Sequence, residues 1–579
     1  MSSGHTHRLP AVEKGREPDL TAEGTAPHEM AYPGRDFFWG VATSGYQSEG
    51  GFNGPGEPLN NWAWAEAAGD VVPSGRTSDF WNLSHEDFGR CREMGLNAFR
   101  LSVEWSRVQP STVLGGKKAA GGIAPPPFDE RALYSYAQRL ADCRAHGIEP
   151  IVTLHHFVYP AWLGLDAWLN PATIDHFLAF VEHTVRYFLR TLPHDFGCAP
   201  PRWFITLNEP NLQAFNHYLY RIFPSGKIGI EPTVQCLANL LEAHVRVYRL
   251  IHRLYAEQDG ARGPKPMVSF NNYCSDLYWS DTAMIDFLFA PSRKIPREEL
   301  RRDLVQRAAC FDREFNAAKL FLLQGPRYYL GQVLKALHHH FARRGFSSGA
   351  WERLLDVLYE EPAAPLDYIA FDYYDPFIAH ALRWPSWHDF DMRKRSFRDW
   401  VLESVASKWW DWRMLPEGLA FFVRHLGQYG LPLLIAENGM ALRRLPDNRP
   451  IRRRDNLARS QYLREHVRVV TRMVEQGQPL VGYLHWSLFD NYEWGSFAPR
   501  FGLFSLDYTV YPTRHAVDAT GDNASATYKQ EIEQARAQLA AAARRAERRT
   551  VEEPAAVGAA PAIVKVESNI SPPDSVQPL

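Results

Sequence analysis

A chain of 579 residues is long, yet barrel folds running past about 250 residues can hold it in one core, so length alone forces no division into several domains. Its 64 lysines and arginines stand against 66 aspartates and glutamates, which leaves no field to draw it to nucleic acid or an anionic membrane and suits a small neutral ligand. With 45% hydrophobic residues and 18 tryptophans, it can fill a large interior and still line a cleft with flat rings.

Residues 1–30 are polar, rich in Gly, Pro and His and without periodicity, and read as a disordered arm. They lack the apolar core of a signal peptide, and no run of about 18 apolar residues occurs anywhere, so the expectation is a cytoplasmic protein without a membrane span. From 31 to 525, short apolar or β-branched runs alternate with longer helical patterns, the signature of βα units closing a parallel sheet. Eight strands are expected, over Phe37–Thr43, Ala98–Val103, Ile148–Leu154, Trp203–Leu207, Met267–Asn271, Tyr368–Asp372, Pro432–Ala436 and Val481–Trp486. The fold class is therefore α/β, a single (β/α)8 barrel. Nearly every strand runs into polar or aromatic residues at its C-terminal end, the catalytic face of such a barrel. Residues scattered in sequence would thus converge on one pocket.

Between about 285 and 360 the chain turns rich in Arg and Leu and carries three adjacent histidines, His338, His339 and His340. Neighbours on a helix are spread about 100° apart and do not face one ion together, so a solvated helix face is expected there and no metal site. Residues 526–553 favour helix by their Ala, Gln, Glu and Arg content, with Ile532 and Leu539 as the main apolar positions, and 554–579 read as a disordered tail. The Arg-rich face of that helix is either a solvated surface or a place for a partner. Six widely spaced cysteines without a CxxC pair read as reduced thiols.

Two segments carry the chemistry. Trp203-Phe-Ile-Thr-Leu-Asn-Glu-Pro210 is an apolar strand ending in Asn208 and Glu209, with Pro210 stopping the ladder. Leu431-Pro-Leu-Leu-Ile-Ala-Glu-Asn-Gly439 ends likewise in Glu437, where Gly439 is expected to permit a sharp turn. The glutamates follow strands 4 and 7, roughly opposite each other across the barrel mouth, where two carboxyls can flank one bond. Cleavage of a glycosidic bond with retention needs two carboxyls about 5–5.5 Å apart, one to protonate the leaving oxygen and one to attack the anomeric carbon.

With TLNEP and IAENG in this order inside an eightfold pattern, the chain resembles glycoside hydrolase family 1, the β-glucosidase and β-galactosidase family, from about Phe37 to about Thr520. The resemblance implies that Glu209 is the acid/base and Glu437 the nucleophile. FFWGVATSGYQSEG is similar to the family's opening strand and implies that Gln47 bonds sugar hydroxyls. VTLHHFVYP places His156 as a second hydroxyl partner, and Asn208 would hold the 2-hydroxyl. AFRLSVEWSRVQP supplies Arg100, and DYIAFDYYDP supplies Tyr374; both would keep Glu437 ionised, while Glu209 would have a raised pKa. YLHWSLFDNYEWGSFAPRFGLFSLDY resembles the last strand and loop, making Trp486 a platform under the sugar. Glu493 and Trp494 would then bond its outer hydroxyls and Phe501 would line the pocket. Glu493 would repel a phosphate, which favours a non-phosphorylated sugar.

Three departures limit the match. Asp372-Tyr373-Tyr374 stands where the family usually has Asn-Tyr-Tyr, leaving open whether Asp372 pairs with Arg100 or shifts the pH optimum. His156-Phe-Val-Tyr-Pro160 replaces His-Trp-Asp-Leu-Pro, and residues 285–360 depart from the pattern on the side that usually shapes the aglycone site. The reading is a retaining β-glycosidase for non-phosphorylated β-D-glucosides, β-galactosides or β-fucosides, needing no cofactor or metal. Two alternatives stand beside it: a transglycosidase passing the sugar to an alcohol or lipid acceptor, and a silent sugar-binding barrel.

Overall fold

The computed structural model describes residues 37–114, 124–259, 265–320, 326–346, 348–375, 410, 412–453 and 455–552. The expected arm over 1–30 and tail over 554–579 lie outside the described residues. Eight parallel strands close a barrel: β1 (Phe38–Ala42), β2 (Ala98–Ser102), β3 (Glu149–Thr153), β4 (Trp203–Asn208), β5 (Met267–Tyr273), β6 (Ile369–Asp372), β7 (Leu433–Asn438) and β10 (Leu480–Trp486), which returns to β1. Every boundary falls within two residues of its expected place. Three short strands, β8 (Leu442–Arg444), β9 (Pro450–Ile451) and β11 (Pro499–Arg500), form a small antiparallel sheet beside the mouth.

Period-two alternation sorts the strand side chains into two cores. Trp203, Ile205, Ala370, Leu434 and Ala436 pack inside the barrel, while Phe204, Val268, Phe371, Leu433 and Ile435 face the surrounding helices. Such double burial is why these strands read as nearly continuous apolar runs. Arg100 breaks its run between Phe99 and Leu101, and alternation points it inward with Ala98.

Near the mouth the alternation is interrupted. The β4–β5 register shifts between Ile205 and Asn208, and the registers of β7 against β6 and β10 shift around Ala436. Leu207 joins the outer core and Thr206 bonds His244 of the helix Ile230–Asp259, so Asn208 turns inward one residue off the alternation. Bulges of this kind re-aim a side chain at a functional site. Gly439 is explained differently from the expectation. Its φ is not positive; a Cβ there would lie 2.1 Å from the Trp486 carbonyl oxygen, so glycine answers a close backbone approach by β10 rather than a turn.

The stretch between β5 and β6 holds helices Leu300–Ala317, Pro326–Gly345 and Glu352–Leu358. The histidine triplet lies on the second of these, but the solvated face expected there is corrected. His338 and His339 are half-buried, and His338 bonds Ser280, while Tyr329, Val333, Leu337 and Phe341 lie on the exposed side. The C-terminal helix, Ala524–Glu552, packs against the helix Arg459–Glu475 and buries Tyr528, Ile532, Ala535 and Leu539. Tyr528 donates a 2.8 Å hydrogen bond to the Gly40 carbonyl of β1. The apolar stripe of this helix is thus covered by the barrel itself. All six cysteines are free, and no helix among the described residues is long and apolar enough to cross a membrane.

Candidate active site

Glu209 sits where β4 gives way to the helix Pro210–Tyr218. Proline at the first helical position needs no N–H partner, and the turn holds Glu209 at φ 38°, a left-handed conformation that costs a non-glycine residue about 1 kcal/mol or more. The Glu209 N–H donates to the Asn271 carbonyl at 3.0 Å, so the strained residue stays tied to β5. Glu437 lies near the end of β7. The Arg100 Nη1 donates to its Oε1 at 2.7 Å and the Tyr374 hydroxyl to its Oε2 at 2.7 Å. Both of its oxygens are therefore held by donors from β2 and from the residues following β6.

A third carboxylate completes the group. Asp372, paired in register with Glu437, is fully buried, and one oxygen from each of Glu209, Asp372 and Glu437 lies within 4.8 Å of the other two. Arg100 does not form an ion pair with Asp372. Its remaining donors go to Thr153 Oγ1 at 2.9 Å, Asn208 Oδ1 and Asn271 Oδ1. Asn271 passes the interaction on, since its Nδ2 donates to Asn208 Oδ1 at 2.8 Å and to Asp372 Oδ2.

Burial dominates the acidities. It lifts Glu209 well above the usual carboxylate range, helped by the negative charges of Asp372 and Glu437 and opposed by Arg100. Burial also raises Glu437, but Arg100 and Tyr374 both oppose it. Asp372 is raised by burial and by Glu437. The environment thus favours the proton on Glu209 and supplies Glu437 with the donors that stabilise an anion.

Aromatic rings build the rest of the pocket. His156 is sandwiched between Trp486 and Trp494, with centroids 5.6 and 5.9 Å away and planes within 13°. Burial and the Arg100 charge push its pKa well down, so it is a neutral ring at ordinary pH. Trp486 Nε1 donates to Glu493 Oε1 at 3.1 Å, and burial lifts the Glu493 carboxyl to about 8. Phe501 lies 6.0 Å from the Tyr374 ring. Gln47 is buried with its Oε1 bonded by Ser44, while its Nε2, Asn208 Nδ2, His156 Nδ1 and Glu209 Oε1 have no protein partner. These free polar atoms suit hydroxyl groups, because buried polar atoms otherwise carry a desolvation cost. All eleven residues singled out from the sequence are brought to this mouth.

A family model, that of glycosyl hydrolase family 1, matches residues 29–537. The chain belongs to glycosyl hydrolase family 1. That places it among the O-glycosyl hydrolases. It is 27% identical over 485 residues to β-glucosidase A of Thermotoga maritima, covering 82% of this chain and 93% of that one. It is 26% identical over 492 residues to a 6-phospho-β-galactosidase of Clostridium acetobutylicum, with 82% and 93% covered. A β-galactosidase of Sulfolobus acidocaldarius is 25% identical over 528 residues, with 83% and 91% covered. The fold is similar to that of the Thermotoga maritima β-glucosidase in complex with castanospermine, at a TM-score of 0.59 and 20% identity, covering 87% of this chain and 99% of that structure.

In this family 1 barrel, sequence reasoning missed Asn271, the residue through which Arg100, Asn208 and Asp372 communicate. It also missed Trp412, whose ring lies 5.3 Å from Tyr374. Asn271 had a legible signal, since it stands near the C-terminal end of β5 in SFNNY, where a polar residue interrupts an apolar strand. Trp412 had none, because it lies in a loop. Two groups among the described residues have donor atoms close enough to share an ion: the three mouth carboxylates, and His85, Asp142 and His146 on the outer surface.

Proposed function

We propose that this family 1 glycosidase hydrolyses non-phosphorylated β-D-glucosides, and β-galactosides or β-fucosides in the same pocket, with retention of configuration. The observation that carries the reading is the approach of Glu209 and Glu437 oxygens within 4.8 Å. Retaining enzymes hold their carboxyls about 5–5.5 Å apart, whereas inverting enzymes leave about 6.5–9.5 Å for a water. Glu437 attacks the anomeric carbon as Glu209 gives its proton to the leaving oxygen, and the aglycone departs as an alcohol. Glu209, now a carboxylate, takes a proton from water, whose oxygen displaces Glu437 and frees the sugar.

Support for a non-phosphorylated sugar comes from Glu493. Among the described residues no cation pairs with it, and a carboxyl bonded to Trp486 offers a phosphate no positive partner. The relatives include both phospho- and non-phospho-glycosidases, so the pocket and not the kinship argues the choice.

The test is release of nitrophenol from a panel of aryl β-glycosides by the wild type, Glu437→Ala and Glu209→Ala. Loss of turnover in Glu437→Ala, with azide returning an inverted glycosyl azide, supports the nucleophile. Azide rescue of Glu209→Ala to the retained azide supports the acid/base. A wild type that releases nitrophenol only when an alcohol acceptor is added would make it a transglycosidase, and one that binds sugars without turnover would overturn the reading.

A further inference from the structure

Of the three clustered carboxylates Glu209, Asp372 and Glu437, Asp372 is the one to which the double displacement gives no task. It is fully buried, and Arg100 spends none of its hydrogen bonds on it. What faces it is Glu209 from the end of β4, Asn271 of β5 and Cys274 just after it, Tyr374 just after β6, and Glu437 from β7, with Arg100 of β2 as the facing cation. Three carboxyls against one guanidinium cannot all ionise cheaply in a buried site.

The hydrogen bonds say which Asp372 oxygen is already occupied as an acceptor. Asn271 Oδ1 accepts from Arg100, which fixes the amide so that its Nδ2 faces Asp372 Oδ2. Asp372 Oδ2 receives that donor and so acts as an acceptor, while Asp372 Oδ1 and Glu209 Oε1 have no other protein partner and the two carboxyls bring an oxygen of each within 4.8 Å. We propose that Asp372 is a positioning residue for the acid/base: it accepts a hydrogen bond from the Glu209 carboxyl and so keeps the proton on Glu209 in the substrate-free site. This inference rests on the roles proposed above for Glu209 and Glu437. Charge balances through the reaction. Glu209 becomes an anion only as Glu437 loses its charge to the ester bond, so the three groups carry two negative charges before and after the first step. Asp372 also makes the Glu209 carboxylate the stronger base that the second step needs.

The test is the pH dependence of kcat/KM for the wild type, Asp372→Asn and Asp372→Ser on a nitrophenyl glycoside that the wild type turns over. Removing the negative charge should move the alkaline limb, set by Glu209, to lower pH by about one to two units, and the acid limb, set by Glu437, in the same sense. With a dinitrophenyl glycoside, whose leaving group needs no proton, the alkaline limb should cease to distinguish the variants. Thermal unfolding identifies which variants are folded. A readout needing neither variant is the infrared carboxyl C=O absorption of the wild type at neutral pH, from which Glu209→Gln should remove one component while leaving that of Glu493 and other buried carboxyls. Alkaline limbs that superimpose in folded variants, or a C=O band indifferent to Glu209→Gln, would overturn the proposal. If instead Glu209→Ala and Glu437→Ala retain turnover, it is the reading of the two roles that fails.

Discussion

Replacing Tyr374 by Phe removes a single atom from the site. The hydroxyl donates at 2.7 Å to Glu437 Oε2, while the ring is held independently by Trp412 and Phe501 at 5.3 and 6.0 Å, so the variant should keep its packing. A hydrogen bond to an ionised group is worth about 1.5–3 kcal/mol. Because the bond favours charged Glu437, its loss raises that pKa further, and the acid limb of kcat/KM should move up by about one to two pH units. Below the wild-type limb, kcat/KM should fall roughly 10- to 100-fold, with the deficit narrowing as pH rises and Glu437 ionises. Stability should respond in the matching sense. A carboxyl whose folded pKa is raised binds more protons in the folded state, so its contribution is present at low pH and is lost as pH rises through the folded pKa. The variant should therefore lose apparent Tm more steeply with rising pH than the wild type. The assay is a pH series of initial rates on one aryl glycoside with melting curves in the same buffers. An acid limb that stays put, or moves down, would refute the claim that Tyr374 stabilises an anionic Glu437.

Arg100→Met should act in the same direction and further, since removing one partner of a buried ion pair costs about 3–5 kcal/mol. At neutral pH kcat/KM should drop by roughly two to three orders of magnitude with residual activity displaced to higher pH, and a variant within tenfold of wild type would be incompatible with the geometry. Gly439→Ala should lower the apparent Tm, because the new methyl meets the Trp486 carbonyl and overpacking costs about 1–3 kcal/mol; an unchanged melting curve would place the β10 backbone elsewhere. Ile532→Ala, at a fully buried position of the C-terminal helix, should loosen that helix by about 2–5 kcal/mol. Faster hydrogen exchange over 524–552, with the barrel strands unaffected, is the expected result, and uniform protection would mean that the helix does not depend on this contact.

The barrel was legible because its strands are buried on both faces, so that apolar runs such as LLIAEN and WFITLN stand out and end at the polar residues of the mouth. What a linear pattern cannot convey is a change of parity. Strict alternation would aim Leu207 inward with Ile205, yet a shift of register turns Leu207 outward and Asn208 in. Sequence alone also left open whether Asp372 pairs with Arg100 or shifts the pH optimum, since both leave the same letters. The choice depends on Asn271. Its carbonyl is claimed by Arg100 and its amide is thereby turned to Asp372, a relation among three different strands that no spacing encodes. Hence the pair of glutamates follows from two short motifs, while the acidities that set them apart follow from burial and from Asp372, Arg100 and Tyr374, which neither motif contains.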